Sequence, residues 1–143
     1  MKNNFGFILV KPQLGENIGA CARSLKNFGF SKLHVVSPKQ SWPNNKAKAT
    51  SVGAYDVIKK AKIYNNTYDA INDFDIVISL SARKRDINKK HISINQFLKI
   101  IKSKKDTKFG LMFGPEASGL SNDDLSLSNF VLQIPTSRKF KSL

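Results

Sequence analysis

Two stretches hold residue types at spacings from which a site could be built. One is Gly114-Pro115-Glu116-Ala117-Ser118-Gly119-Leu120, continuing through Ser121, Asn122, Asp123 and Asp124 to Leu125. Its glycines bracket a proline and a carboxylate, so the backbone is expected to turn sharply and to approach a ligand closely. Ser121 or Asn122 can cap a short helix that carries Asp123 and Asp124 in its first turn. The other stretch is Asn17-Ile18-Gly19-Ala20-Cys21-Ala22-Arg23, an amide and a guanidinium separated mostly by small residues. His34 and His91 are isolated and have no partners at metal-ligand spacing, so no metal is assigned. The single cysteine, Cys21, excludes an internal disulfide and a cysteine-built zinc site, and its type suits a small buried hydrophobe.

The elements that must position these stretches follow from hydrophobic periodicity. The apolar run Phe109 to Phe113 predicts a buried strand leading into the glycine-rich stretch. A loop at the carboxyl end of a strand is where open α/β sheets keep their ligands. Phe5 to Val10 predicts a central strand, followed by a turn through Pro12 and Gly15 and a helix starting near Asn17. Ile18, Cys21, Ala22, Leu25 and Phe28 recur at helical spacing and define one buried face, which leaves Arg23 and Asn27 pointing away from the core. Gly29 is expected to end that helix.

Further strands are expected at Leu33 to Val36, Lys62 to Tyr64, Asp75 to Leu80 and Phe130 to Ile134. Helices are expected near Lys46 to Ser51, Tyr68 to Phe74 and Ile94 to Ile101. The loop from Ser37 to Asn45, with Pro38, Trp42 and Pro43, is long enough to wall a site. This alternation predicts an α/β fold, a mostly parallel sheet with helices on both faces, in a single domain over residues 1–143. The first strand is followed by no G-x-G-x-x-G and there is no Walker lysine, which weakens a dinucleotide or nucleotide-triphosphate reading.

Charge narrows the class of partner. Lys and Arg number 24 against 10 Asp and Glu, a net charge of +14 on 143 residues. Such an excess suits a polyanion, RNA above all, although a lysine-rich solvated surface would give the same count. With 41% hydrophobic residues the chain can bury a real core. No run reaches transmembrane length and no signal peptide is read at the start, so the chain is expected to be cytoplasmic.

Asn17-x-Gly19-x-x-x-Arg23, the segment Phe113 to Leu125, and Ile134-Pro135 running to Ser142-Leu143 resemble the three motifs of the SpoU (TrmH-like) methyltransferases of the knotted SPOUT class. Val52-Gly53-Ala54-x-Asp56-Val57-Ile58 and Ser81-Ala82-Arg83 bring the likeness closer to the TrmJ subfamily. The resemblance covers essentially the whole chain. It implies a SPOUT-like α/β knot, S-adenosylmethionine as methyl donor, a homodimer, and transfer to the ribose 2′-hydroxyl of nucleotide 32 in the tRNA anticodon loop. It implies donor contacts at Leu80, Ser81 and Ala82, at Gly114 and Glu116, and at Ile134, Lys141, Ser142 and Leu143, several of them through backbone groups.

Catalytic roles implied by the resemblance fall to Arg23, Asn17 and Ser142. The family's arginine is assigned the activation of the hydroxyl, but a guanidinium is effectively never deprotonated. Arg23 is read instead as gripping a phosphate bidentately and stabilising charge on the attacking oxygen, against the plainer reading of an exposed helix arginine. Asn17 orients the ribose or caps its helix. Glu116 equally reads as an acceptor for nearby backbone N–H groups. RNA contacts are expected from Arg23, Arg83, Lys84, Arg85, Lys89 and Lys90, with the lysines from Lys99 to Lys105 continuing the same surface.

Two departures from the family pattern stand out. Pro115 and Ala117 occupy positions where relatives often carry arginines. The sequence also ends at Leu143, inside the third motif, so the C-terminal knot helix is expected to be missing and the domain incomplete. That leaves a second reading, a catalytically inactive fragment acting at most as a basic RNA-binding module.

Overall fold

The computed structural model describes residues 4–82 and 84–134. Its strands are β1 Phe5–Val10, β2 Lys32–Val36, β3 Lys62–Tyr64, β4 Ile76–Ser81, β5 His91–Ile92, β6 Phe109–Phe113 and β7 Phe130–Gln133. The helices are α1 Gly15–Asn27, α2 Asn45–Ser51, α3 Tyr55–Lys60, α4 Thr67–Ile71, α5 Ile94–Ser103 and α6 Asn122–Ser126. The strands form one seven-stranded sheet in the order β3-β2-β1-β6-β4-β7-β5. Every neighbouring pair is parallel.

Alternation along the strands sorts the core onto two faces. Phe7 and Leu9 of β1, with Leu33 and Val35 of β2, pack under α1, α2 and α3. The same face continues under α5, where Phe97, Ile100 and Ile101 cover Phe5, Ile78, Leu80, Phe109 and Leu132. Ile8, Val10, Val36 and Met112 point the other way, toward Ala70 of α4 and Leu125 of α6. Helices therefore lie on both faces of a parallel sheet, the expected architecture. Rings fill the first face near the strand starts, with Phe5 stacked on Phe109 at 5.3 Å and Phe30 edge-on to Phe7 at 5.2 Å.

The local signals at the end of α1 act as expected, with one exception. Gly29 adopts φ 82°. The Phe30 N–H donates to the Leu25 carbonyl (2.8 Å) and the Gly29 N–H to the Lys26 carbonyl (3.0 Å), a Schellman closure. Phe28, expected on the buried face, is instead 70% exposed. It is the cap residue, where the backbone has already left the helix, so helical spacing no longer places its side chain.

Two other expectations are corrected. The first helix begins at Gly15 rather than near Asn17, after an N-cap Leu14 that supplies no side-chain bond. The strand β5 was not expected, because two residues carry no periodicity and this strand exists through its pairing of His91 with Val131 and Ile92 with Leu132. The segment from Pro135 to Leu143, after which the knot helix is expected to be missing, lies outside the described residues.

Candidate active site

The four strands β1, β6, β4 and β7 are consecutive in the sheet, and all run the same way. Their carboxyl ends therefore form one edge, where ligands of open α/β sheets bind. Asn17 follows β1, Gly114 and Glu116 follow β6, Leu80 and Ser81 close β4 with Ala82 next, and Ile134 follows β7. Segments far apart in sequence are thus brought together as the motifs suggested. The Ile134 N–H donates to the Ser81 carbonyl at 2.9 Å, which fastens the ends of β7 and β4 to each other.

Glu116 is the fastening of the other half. Its carboxylate accepts the Gln13 N–H at 3.1 and 3.0 Å, the Leu14 N–H at 3.2 Å and the Asn17 Nδ2–H at 2.9 Å. In return the Ala117 N–H donates to Gln13 Oε1 at 3.1 Å. The Gly15 N–H is taken by Gln40 Oε1 at 2.9 Å, from the loop after β2. The start of α1 is thus capped by side chains from two other loops, with a carboxylate at the positive end of the helix. Asn17 is not the cap. It is the third helical residue, and its amide reaches outward to Glu116. Gln13 and Gln40 escaped the sequence reading, since nothing local marks a glutamine that serves a distant loop.

The glycine-rich loop closes on itself. The Gly119 N–H donates to the Pro115 carbonyl at 2.9 Å, and Gly119 has φ 71°. A side chain at Gly114 would strike Gly119 and the Leu120 backbone nitrogen, so this glycine serves the return of the loop. Ser121 then caps α6 by accepting the Asp124 N–H at 3.1 Å. From the opposite side Arg85 Nη2 donates to the Leu120 carbonyl at 2.8 Å and sits 3.4 Å from Asn122 Oδ1. The Arg85 N–H donates to His91 Nε2 at 3.1 Å, so the imidazole carries its hydrogen on Nδ1, which faces the Lys89 carbonyl at 3.1 Å.

Of the expected RNA contacts, Lys84 and Lys90 are exposed and Lys89 half-buried, whereas the Arg85 guanidinium is engaged in holding the loop before α6. The lysines toward the end of α5 do not continue that surface. Lys104 and Lys105 line a cavity with Phe5 and Phe109, at the opposite, amino-terminal ends of the strands. Arg83, Lys141, Ser142 and Leu143 lie outside the described residues.

Beside Asn17 and Glu116 a cleft of about 320 Å³ is walled by Phe7, Leu9, Cys21, Leu25 and Phe113. Burial pushes the Cys21 thiol up to about 11, so it stays protonated and acts as an apolar wall. Arg23 is exposed and, among the described residues, makes no hydrogen bond to these loops. Six residues beyond Asn17, it stands on a different face of α1, roughly 9 Å along the axis. No helix among the described residues is long and apolar enough to cross a membrane.

Comparison with known proteins extends the geometry. The SpoU rRNA methylase family model matches residues 4–143. The tRNA (cytidine-2′-O-)-methyltransferase TrmJ of Methanocaldococcus jannaschii is 39% identical over 137 residues, 93% of this chain and 58% of that protein. The crystal structure of TrmJ from Z. mobilis superposes with a TM-score of 0.87 at 36% identity, covering 96% of this chain and 61% of the other. The chain thus spans less than two thirds of these relatives. A more distant match, the SpoU methyltransferase AviRb from Streptomyces viridochromogenes in complex with AdoMet, shares the fold with a TM-score of 0.70 at 17% identity. Ordered motifs on adjacent strand ends and a family match over nearly the whole length lead to one conclusion: the chain belongs to the SpoU methylase family.

Proposed function

We propose that this chain is the catalytic part of an S-adenosylmethionine-dependent tRNA methyltransferase that modifies a ribose 2′-hydroxyl, at nucleotide 32 of the anticodon loop, and that it works as a cytoplasmic homodimer. The observation that carries the reading is the fastening of the glycine-rich loop to the start of α1 through Glu116. It joins two of the motifs that carry the family resemblance.

The residues present fit the donor. Leu80, Ser81, Ala82, Gly114 and Ile134 offer backbone edges and apolar side chains at neighbouring strand ends, with no competing charged side chain among them. Such a surface suits an adenine and the carbon stem of a sulfonium; Lys141, Ser142 and Leu143, which the family resemblance adds to the donor contacts, lie outside the described residues. When bound, S-adenosylmethionine supplies an electrophilic methyl group. Glu116 acts as a positioning residue, holding Asn17 by its amide nitrogen and leaving Asn17 Oδ1 to orient a ribose hydroxyl. Arg23 grips a phosphate and stabilises negative charge on the attacking oxygen, and Ser142, the remaining catalytic residue the family resemblance implies, lies outside the described residues. Positioning of this kind accounts for much of the rate in an in-line displacement.

The test is methyl transfer from labelled S-adenosylmethionine to unmodified tRNA by the full chain, followed by nuclease digestion and mass spectrometry. A 2′-O-methyl group at nucleotide 32 is expected. Methylation elsewhere overturns the assignment of that nucleotide. Absence of both transfer and S-adenosylmethionine binding, with RNA binding retained, leaves only the RNA-binding module.

A further inference from the structure

At the amino-terminal end of the sheet, away from every loop described above, lies a cavity of about 340 Å³. Its floor follows from two glycines. Gly6 of β1 and Gly110 of β6 are paired in register. A Cβ on either would run into the Phe74 ring, so the glycines leave the space in which that ring lies across both strands. His34 meets Phe74 edge-on at 5.0 Å and stacks on Tyr64 at 5.7 Å, with His34 Nδ1 3.1 Å from the Tyr64 hydroxyl. Burial pushes His34 down to about 4, so the ring is neutral at physiological pH.

The rim is cationic. Lys32 opens β2, Lys62 opens β3, Lys60 ends α3 and Lys108 precedes β6, so four segments deliver ammonium groups to one mouth. Among the described residues the only carboxylate lining it is Asp73, whose contact with Lys62 is 3.5 Å between side chains 52% and 65% exposed. A pair so hydrated neutralises little. A second cavity of about 250 Å³ shares Asn4 with the first and adds Lys104 and Lys105, two ammonium groups against the one carboxylate of Asp106. The lysines therefore form a track rather than a cage around a point. Among the described residues no arginine lines either cavity, whereas a site for a single phosphate would be expected to use a guanidinium fork or a helix N-terminus. Ammonium point charges along a track suit the sequence-independent contacts of a nucleic-acid backbone.

We propose that this lysine-rimmed cleft binds backbone phosphates of RNA, so that a substrate RNA contacts both ends of the sheet. The proposal rests on the RNA-substrate reading above. A strand of six residues spans about 20 Å, so contacts at the two ends belong to different segments of one folded RNA or to a strand crossing the sheet.

The experiment is RNA binding by the full chain, measured by fluorescence anisotropy with tRNA over a range of salt. Two triple variants are compared: Lys60→Gln with Lys62→Gln and Lys108→Gln, and Lys84→Gln with Lys89→Gln and Lys90→Gln. Loss of the amino-end lysines is expected to flatten the slope of log affinity against log salt by about two to three units, roughly one per lost contact. The corresponding triple Lys→Arg variant is expected to keep the slope, which separates charge from local damage. S-adenosylhomocysteine binding is expected to be unchanged. An unaltered salt slope in the amino-end glutamine variant, with a flattened slope in the other, overturns this proposal and leaves the RNA reading standing. No salt-dependent binding by the unaltered chain overturns both. Loss of inorganic phosphate binding by the amino-end variant without any change toward tRNA also overturns it, since the cleft would then serve a small anion.

Discussion

Glu116 and Asp73 are carboxylates at opposite ends of the same sheet, and their surroundings differ in kind. Glu116 is half-buried and takes hydrogen bonds from two backbone amides and one side-chain amide. Asp73 is exposed, with the Tyr64 hydroxyl at 3.3 Å and Lys62 at 3.5 Å. The first fixes where a loop and a helix start relative to one another. The second constrains no backbone. At the carboxyl end, Arg85, His91, Gln13 and Gln40 likewise bond to main-chain groups. The amino end has stacked rings beneath its charges, and there a single carboxylate among the described residues, Asp75, holds one backbone amide, that of Lys108, at 2.9 Å. Chemistry that depends on position belongs with the first arrangement, and binding that depends on charge belongs with the second.

The hardest blow to this contrast should come from Glu116→Ala. Removing the acceptor leaves the amides of Gln13 and Leu14 and the Asn17 side chain without their partner. A loss of about 2 kcal/mol in urea unfolding is expected, together with a fall in methyl transfer of roughly a hundredfold as the two loops lose register. Asp73→Ala should change neither by a comparable amount. Equal stability losses for the two variants would erase the distinction between the ends.

Arg23→Ala sharpens it from the other side. Arg23 is exposed and tied to nothing among the described residues, so unfolding should shift by no more than about 0.5 kcal/mol. Methyl transfer should still fall by roughly a hundredfold, and Arg23→Lys should restore little, because a point charge does not reproduce the planar fork. Full activity in Arg23→Ala would remove it from the catalytic group.

At the amino end the ring stack predicts a pH dependence. Burial holds His34 near 4, against 6.5 for the free side chain. Between those values the unfolded chain takes up a proton that the folded chain refuses, so stability is full above about 6.5 and falls as the pH drops toward 4. The loss over that window should be on the order of 2 kcal/mol, less than the full shift would give because the ring lines an open cleft. His34→Phe should flatten that part of the profile, and the ring resonances of His34 should titrate near 4. A midpoint above 6 would mean that the stack is open to water.

Much of this arrangement was legible in the chain itself. Strands β1, β3 and β6 have the expected bounds, β1 and β6 because their apolar runs are flanked by turn residues or a change in charge. The start of α1 was misplaced because its caps come from residues about a hundred and about twenty-five positions away. Periodicity reports only local geometry, so it also misjudged Phe28, one residue past the helix. The single basic surface imagined from Arg83 to Lys105 divides because α5 carries the chain back along the sheet between its two halves. Strand order decided that division, and no run of residues states strand order. The four strand ends that gather Asn17, Leu80, Gly114 and Ile134 were suggested by motif resemblance, while the Glu116 fastening had been one of two open readings.

The smallest expected effect tests how far the contrast extends beyond the two ends. Lys26 Nζ, near the end of α1, donates to Asp56 Oδ1 at 2.8 Å and to the Gly53 carbonyl at 3.0 Å. This joins α1 to the start of α3. The hydrogen bond from Lys26 is the chief reason the Asp56 carboxyl titrates below the usual carboxylate range, with the amides of Asp56 and Val57 helping. A depressed carboxyl contributes stability above its unfolded pKa, and that contribution is lost as the pH falls through the folded one. Both side chains are about half exposed, so water and salt should screen the pair. Asp56→Asn is therefore expected to lower the melting temperature only slightly at neutral pH and low salt, and not at all in acid or high salt. Asp56 also lies in the first turn of α3, where a carboxylate is favourable by itself. Combining Asp56→Asn with Lys26→Met separates the two contributions, since only the ion pair makes the effects of the two changes non-additive. A large, salt-independent loss in Asp56→Asn would place this link with Glu116, as a fastening of backbone rather than a surface pair.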